Sequence, residues 1–264
     1  MKEQEKWNVL VARLLSVGDF LDKQLSTRSD VPTLICRALF LKAIDTLRGI
    51  QLLYQASLPV QAQVLVRVLL ELRMDLDIFL GMLAENPENA ARRIIDAMML
   101  EKVKQQRESN FAGLEYVEGA PKREEFLELE KEIVGRYGKH DADRMRRYGF
   151  SGVSVEERAR KTGLSDLYHV VYRNFSRNVH ATDYMEHLRA TRASGSTRWP
   201  DYEDSRDHVA LSSAITCVWQ MVSLLDLTLR CGLDAELEAI WKVCSSFEHW
   251  VSVPSAGESA LRRS

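Results

Sequence analysis

Between Pro59 and Pro87 the chain carries Val64, Leu65, Val68, Leu69, Leu72, Met74, Leu76, Ile78, Phe79 and Leu80, with no glycine or proline before Gly81. The spacing predicts a helix from Val60 to about Leu83, apolar on more than one side. Such a helix is stable only when other elements cover it from several directions, so it belongs at the centre of a fold. Its neighbours read the same way. Val9, Leu10, Leu14, Leu15 and Val17 recur at helical spacing within residues 4–24. Asp30-Val31-Pro32 opens a second helix towards Ala56, with aspartate as cap and proline in the first turn. Ser57-Leu58-Pro59 breaks it, and Asn86-Pro87 separates the apolar helix from a fourth that heads towards Glu115. Six prolines and thirteen glycines are few for 264 residues. No persuasive strand signal occurs, so the expectation is an all-α, multi-helix bundle.

Past a turn at Gly119-Ala120-Pro121, residues 124–137 are charged and read as a helix protruding from the body. Residues 138–155 hold glycines and arginines without a clear period and read as an irregular connection. Ser154-Val155-Glu156-Glu157 resembles a capped helix start, Gly163 ends that short helix, and Ser165 is placed to cap the next. That next helix is expected from Asp166 to Thr191, with a loop over residues 194–201 and two more helices over residues 203–230 and 234–249. One helical domain spanning residues 1–253, its core about residues 35–230, is the simplest account, with residues 254–264 as a disordered tail.

The formal net charge of −2 argues against a protein that coats DNA generally. Residues 136–198, however, contain thirteen Lys and Arg against seven Asp and Glu, a local excess of six positive charges. That excess either attracts an anionic ligand or is a solvated helix surface. Cys36, Cys217, Cys231 and Cys244 form no C-x-x-C pair, and scattered thiols fit a reducing cytoplasm. No apolar secretory core follows Met1, and no uninterrupted apolar run reaches the ~18 residues of a membrane span. A cytoplasmic protein without membrane association is expected. No metal-ligand spacing, phosphate-binding glycine loop or nucleophile turn is present, so no metal and no cofactor is expected.

The segment Arg173-Asn174-Phe175-Ser176-Arg177-Asn178-Val179-His180 carries the chemistry. Residues seven apart on a helix fall within about 20° of each other, so Arg173 and His180 share a face. This pairs a permanent cation with the side chain that titrates near neutrality, a combination suited to a phosphodiester: imidazole moves a proton and guanidinium binds the phosphate. Val171, Phe175 and Val179 recur at four-residue spacing and should face the core, with Tyr172, Ser176 and His180 on an adjacent stripe flanked by Arg173 and Arg177. On the apolar helix, Arg67 and Glu71 stand four apart. They are either a buried ion pair that fixes helix registry or the border of a pocket that orients Arg173 or His180.

Arg173-Asn174 followed by His180 resembles the Arg-x(4–6)-His motif of the HEPN superfamily, in which a polar residue follows the arginine. An Arg-x-x-x-Glu helix (Arg67, Glu71) beside a Tyr…Ser-x-x-x-His helix (Tyr172, Ser176, His180), together with the lead-in from Ser154 to Tyr172, is similar to an uncharacterised, mostly bacterial branch of such helical proteins. The resemblance covers about residues 35–230. It implies a helical bundle that dimerises to bring two motifs into one cleft. It also implies a metal-independent endoribonuclease of a toxin–antitoxin or anti-phage kind, with RNA as substrate and an antitoxin or defence protein as partner. His180 would be its general acid/base, Arg173 would stabilise the transition state, and Asn174 would orient the site. A binding module that holds RNA or a nucleotide without cleaving it, or a helical protein-interaction module, is the alternative.

Overall fold

Asp30 and Pro32 do what their positions demand. In a computed structural model that describes residues 3–56, 58–108, 123–179 and 205–247, the Asp30 carboxylate accepts the Thr33 backbone N–H at 2.9 Å. That bond holds the Asp30 carboxyl below the usual carboxylate range and starts helix α2, Val31–Gln55. α1, Glu3–Ser26, precedes it; α3, Pro59–Glu85, and α4, Pro87–Glu108, follow. Next come α5, Arg123–Tyr137, α6, Lys139–Tyr148, and α7, Val155–Lys161. Helix α8 starts at Ser165–Leu167, passes through a π-helical turn at Tyr168–Tyr172 and resumes as α-helix over Arg173–Val179. The last two are α9, Ser205–Leu229, and α10, Asp234–Cys244. The protein is an all-α, multi-helix bundle with no strand among the described residues.

The chain divides into two compact units, residues 1–77 with 159–264, and residues 78–158. In the first, α1 packs on α2, α9 and α10, and α2 packs on α9. Gly18 of α1 makes the close approach to α2 possible, since a Cβ there would lie 2.7 Å from Ile44 Cδ1. The most enclosed helix of this unit is α9: Ala214, Ile215, Cys217, Val218, Met221, Val222 and Leu225 are wholly buried. Its stretch Val209–Leu229 has a mean hydropathy of 1.4, and 83% of it is buried. A core helix has this character without any membrane. By length and composition this stretch is apolar enough to cross a membrane, and Ser212, Ser213, Thr216, Gln220 and Asp226 are buried in it too.

In the second unit α4, α5 and α6 pack on one another around Ala97, Leu100, Ile133, Ala142 and Met145. Residues 138–155, expected to be irregular, contain the ten-residue helix α6. Gly138 and Gly149 sit at its two ends with φ of +78° and +77°, a conformation that glycine adopts without penalty. Between them only Ala142 and Met145 are buried. Two apolar positions three apart make too short a pattern to be recognised as a period.

Much of the positive charge of this region is engaged internally. Arg136 and Tyr137 both bond Asp96, Arg146 joins Glu130 and Asp143, and Arg144 donates to the Gly152 carbonyl at 2.7 Å. From α4, Arg93 grips Asp141 bidentately at 2.7 and 3.0 Å while donating to the Phe150 carbonyl at 2.7 Å. The Arg93 hydrogen bonds hold the Asp141 carboxyl below its ordinary value of 3.8. A carboxylate with a depressed folded pKa stabilises the fold above its unfolded pKa, and the contribution disappears as pH falls through the folded value. Asp141→Asn is therefore expected to lower the thermal midpoint at neutral pH. The gap to the parent should close as pH drops below 3.8. Thermal melts of both proteins across that range check this, and a gap that persists in acid contradicts it.

Candidate functional site

The preceding turn sets where α8 begins. Gly163, at φ +73°, ends α7, and the Leu164 N–H closes back on the Ala159 carbonyl at 2.8 Å. This moves the capping position to Leu164, which makes no side-chain cap bond. Ser165 is thus the first helical residue and not the cap that its sequence position suggested. By contrast, Ser154 does cap α7, accepting the Glu157 N–H at 3.2 Å. Leu167, Val171 and Phe175 are 4%, 0% and 4% exposed and anchor α8. Two of them belong to the stripe the sequence assigned to the core; the third of that stripe, the Val179 side chain, lies outside the description.

The π turn lets the Arg173 N–H reach the Tyr168 carbonyl, five residues back. π-Turns insert one residue into a helix and recur at functional sites. Here two candidate residues steady the altered backbone. The Asn174 amide donates to the Val170 carbonyl at 2.7 Å, and the Ser176 hydroxyl donates to the Tyr172 carbonyl at 2.6 Å.

Tyr172 is the meeting point. Its hydroxyl donates to Glu71 Oε1 at 3.0 Å. The Arg67 guanidinium lies 4.4 Å from its ring centroid, at cation–π distance. Tyr168 stacks on the same ring at 5.2 Å with an interplanar angle of 20°. Burial pushes the Tyr172 phenol above its ordinary value of 10.0, and Glu71 adds to this while Arg67 opposes it. The phenol therefore stays a hydrogen-bond donor at neutral pH. Arg67 and Glu71 both engage Tyr172, the residue immediately before Arg173. Arg173 and Asn174 are exposed. His180 and the side chain of Arg177 lie outside the described residues.

One buried charge had no place in the sequence reading. Arg73, six residues beyond Arg67, is 1% exposed, paired with Asp77 at 3.2 Å and bonded through Nε to Gln220 of α9 at 3.2 Å. The signal was available, since Arg73 and Asp77 repeat the four-residue spacing of Arg67 and Glu71 in the same apolar run. The four cysteines are free thiols, and burial pushes those of Cys36, Cys217 and Cys244 up to about 12, which keeps them protonated. An open pocket of about 380 Å³ lies between α9 and α10, lined by the stacked Trp219 and Trp241 among others. Its Asp226 accepts the Leu233 N–H and its Glu238 pairs with Lys242.

The model of a family of unknown function, DUF5677, matches residues 33–194, more than half of the chain. This chain belongs to DUF5677. No curated protein and no solved structure matches it. The DUF5677 segment contains Arg67, Glu71, Tyr172, Arg173, Ser176 and His180, so every candidate side chain lies inside the family's own boundaries.

Proposed function

We propose that this DUF5677 protein is a cytoplasmic, metal-independent endoribonuclease of the HEPN kind. On this reading it works as a homodimer in a toxin–antitoxin or anti-phage setting, under the control of a partner protein. The observation that carries the proposal is the anchoring of α8. Tyr172 is held by Glu71 and Arg67 on α3, and Arg173, the next residue, is exposed. A guanidinium fixed at its base and open at its tip is suited to receive a phosphate. Were the helix to run on to position 180, the seven-residue spacing would bring His180 to the same face as Arg173. His180 would take the proton of the RNA 2′-hydroxyl as it attacks the adjacent phosphorus. The P–O5′ bond then breaks and the proton is passed on to the departing 5′-oxygen, leaving a 2′,3′-cyclic phosphate and a 5′-hydroxyl with His180 neutral again, while Arg173 stabilises the charge that builds on the non-bridging oxygens. Asn174, its amide engaged with the Val170 carbonyl, supports the helix near the site. The test follows from the nucleophile: in excess chelator the protein is expected to cut RNA and spare DNA of the same sequence. Cutting of both, or cutting that appears only with added metal, overturns the reading.

A further inference from the structure

His169, Val170, Arg173 and Asn174 are all exposed on α8, Val170 by 51%. Tyr168 is half-buried, parallel to Tyr172 on one side and edge-to-face with His169 at 5.3 Å and 75°. Within two helical turns this face offers flat π surface, an apolar neighbour and an unburied cation. The aromatic part is also rigid. Tyr168 leans on Tyr172, and Tyr172 is bonded to Glu71 and covered by Arg67, so the surface is in place before anything binds, and little side-chain ordering remains to be done.

These are the requirements for seating an unpaired nucleobase. Bases of a single strand are free to stack on aromatic side chains while a cation holds the neighbouring phosphate; bases of a duplex already stack on one another. We propose that α8 carries a base-stacking platform, in which an unpaired RNA base stacks on the Tyr168 ring, the steeply inclined His169 imidazole lies beside it, and the neighbouring phosphate meets Arg173. This rests on the RNA reading above and deepens it, because it makes single-stranded RNA the substrate class. Asp166, exposed in the first turn of α8, places a carboxylate at the opposite end of this face from Arg173. The phosphate backbone therefore lies towards Arg173, and Asp166→Asn should tighten binding.

The experiment measures the affinity of a short fluorescent oligouridylate by anisotropy, in chelator and in a His180→Ala background that suspends cleavage. Tyr168→Ala is expected to weaken binding about tenfold or more, whereas Tyr168→Phe and Tyr168→Trp, which keep a flat ring, stay within about twofold of the parent. A fully paired RNA should bind weakly to all four proteins. Val170→Glu serves where Tyr168→Ala does not fold: its position is open, and its carboxylate should weaken binding at low salt more than at high salt. Parental affinity in Tyr168→Ala or Val170→Glu overturns the platform, as does equal loss in the Ala and Phe variants. Tyr168-dependent binding by a protein that never cuts RNA keeps the platform and ends the nuclease reading. Undiminished cutting and affinity in Tyr168→Ala ends the platform and keeps the nuclease.

Discussion

Arg73→Ala is expected to destabilise the protein by about 3–5 kcal/mol, the cost of removing one member of a buried ion pair. The substitution deletes more than a charge. Asp77, whose side chain is 14% exposed, loses its counter-ion at 3.2 Å, and Gln220, 1% exposed, loses the donor that its carbonyl oxygen accepts from. The damage comes from what remains behind, so removing both charges together should be far gentler: Arg73→Met with Asp77→Leu is expected to lie within about 1 kcal/mol of the parent, or to exceed it. Urea unfolding at constant slope checks both, because a shift in midpoint without a change in slope is a change in stability. A double variant as unstable as Arg73→Ala would mean that the pair supplies net stability beyond mutual neutralisation.

The second large effect concerns activity. Arg173→Ala and His180→Ala are each expected to lower RNA cleavage by about a hundredfold or more, the usual worth of a positioned general acid/base or of a donor aimed at developing negative charge. Since both would act on one phosphate, the double variant should be little worse than either single one. Arg173→Lys should recover only part of the activity, because an ammonium cannot present the paired N–H groups of a guanidinium. Asn174→Ala should cost much less, since its amide supports the Val170 carbonyl. Single-turnover rates on one RNA, with melting curves to confirm folding, provide the comparison. Multiplicative losses in the double variant would argue that the two side chains act on different steps.

What the sequence made visible, and what it did not, follows from how far apart the interacting residues lie. Asp30 and Pro32 define their helix start within three residues, and the structure has the bond they imply. Of the stripe Val171, Phe175 and Val179, the first two are buried as their four-residue repeat implies. Helix α6 was hidden because its ends are set by two glycines and its core contribution by two side chains. The π turn was hidden as well: Tyr168-His169-Val170-Val171-Tyr172 has no composition that demands five-residue bonding, and the turn is stabilised by Asn174, Glu71 and Arg67 acting from outside it. Arg67 and Glu71 stood out as charges in an apolar helix. Their shared partner is 101 residues from Glu71, a separation over which a single sequence has no periodicity to offer. The pairing of Arg136 with Asp96 and of Arg146 with Glu130, 40 and 16 residues away, is invisible for the same reason, and it leaves less free positive charge than the count of basic residues implies.

On the proposed mechanism, Arg173 and His180 cleave RNA by way of its own 2′-hydroxyl. The most direct measurement replaces a single nucleotide, at a mapped cleavage position, by its 2′-deoxy counterpart. In excess chelator, cleavage is expected to vanish at that one bond and continue elsewhere, with each product ending in a 2′,3′-cyclic phosphate. Cleavage that persists at the deoxy position, or products ending in a 5′-phosphate and a 3′-hydroxyl, would contradict the account.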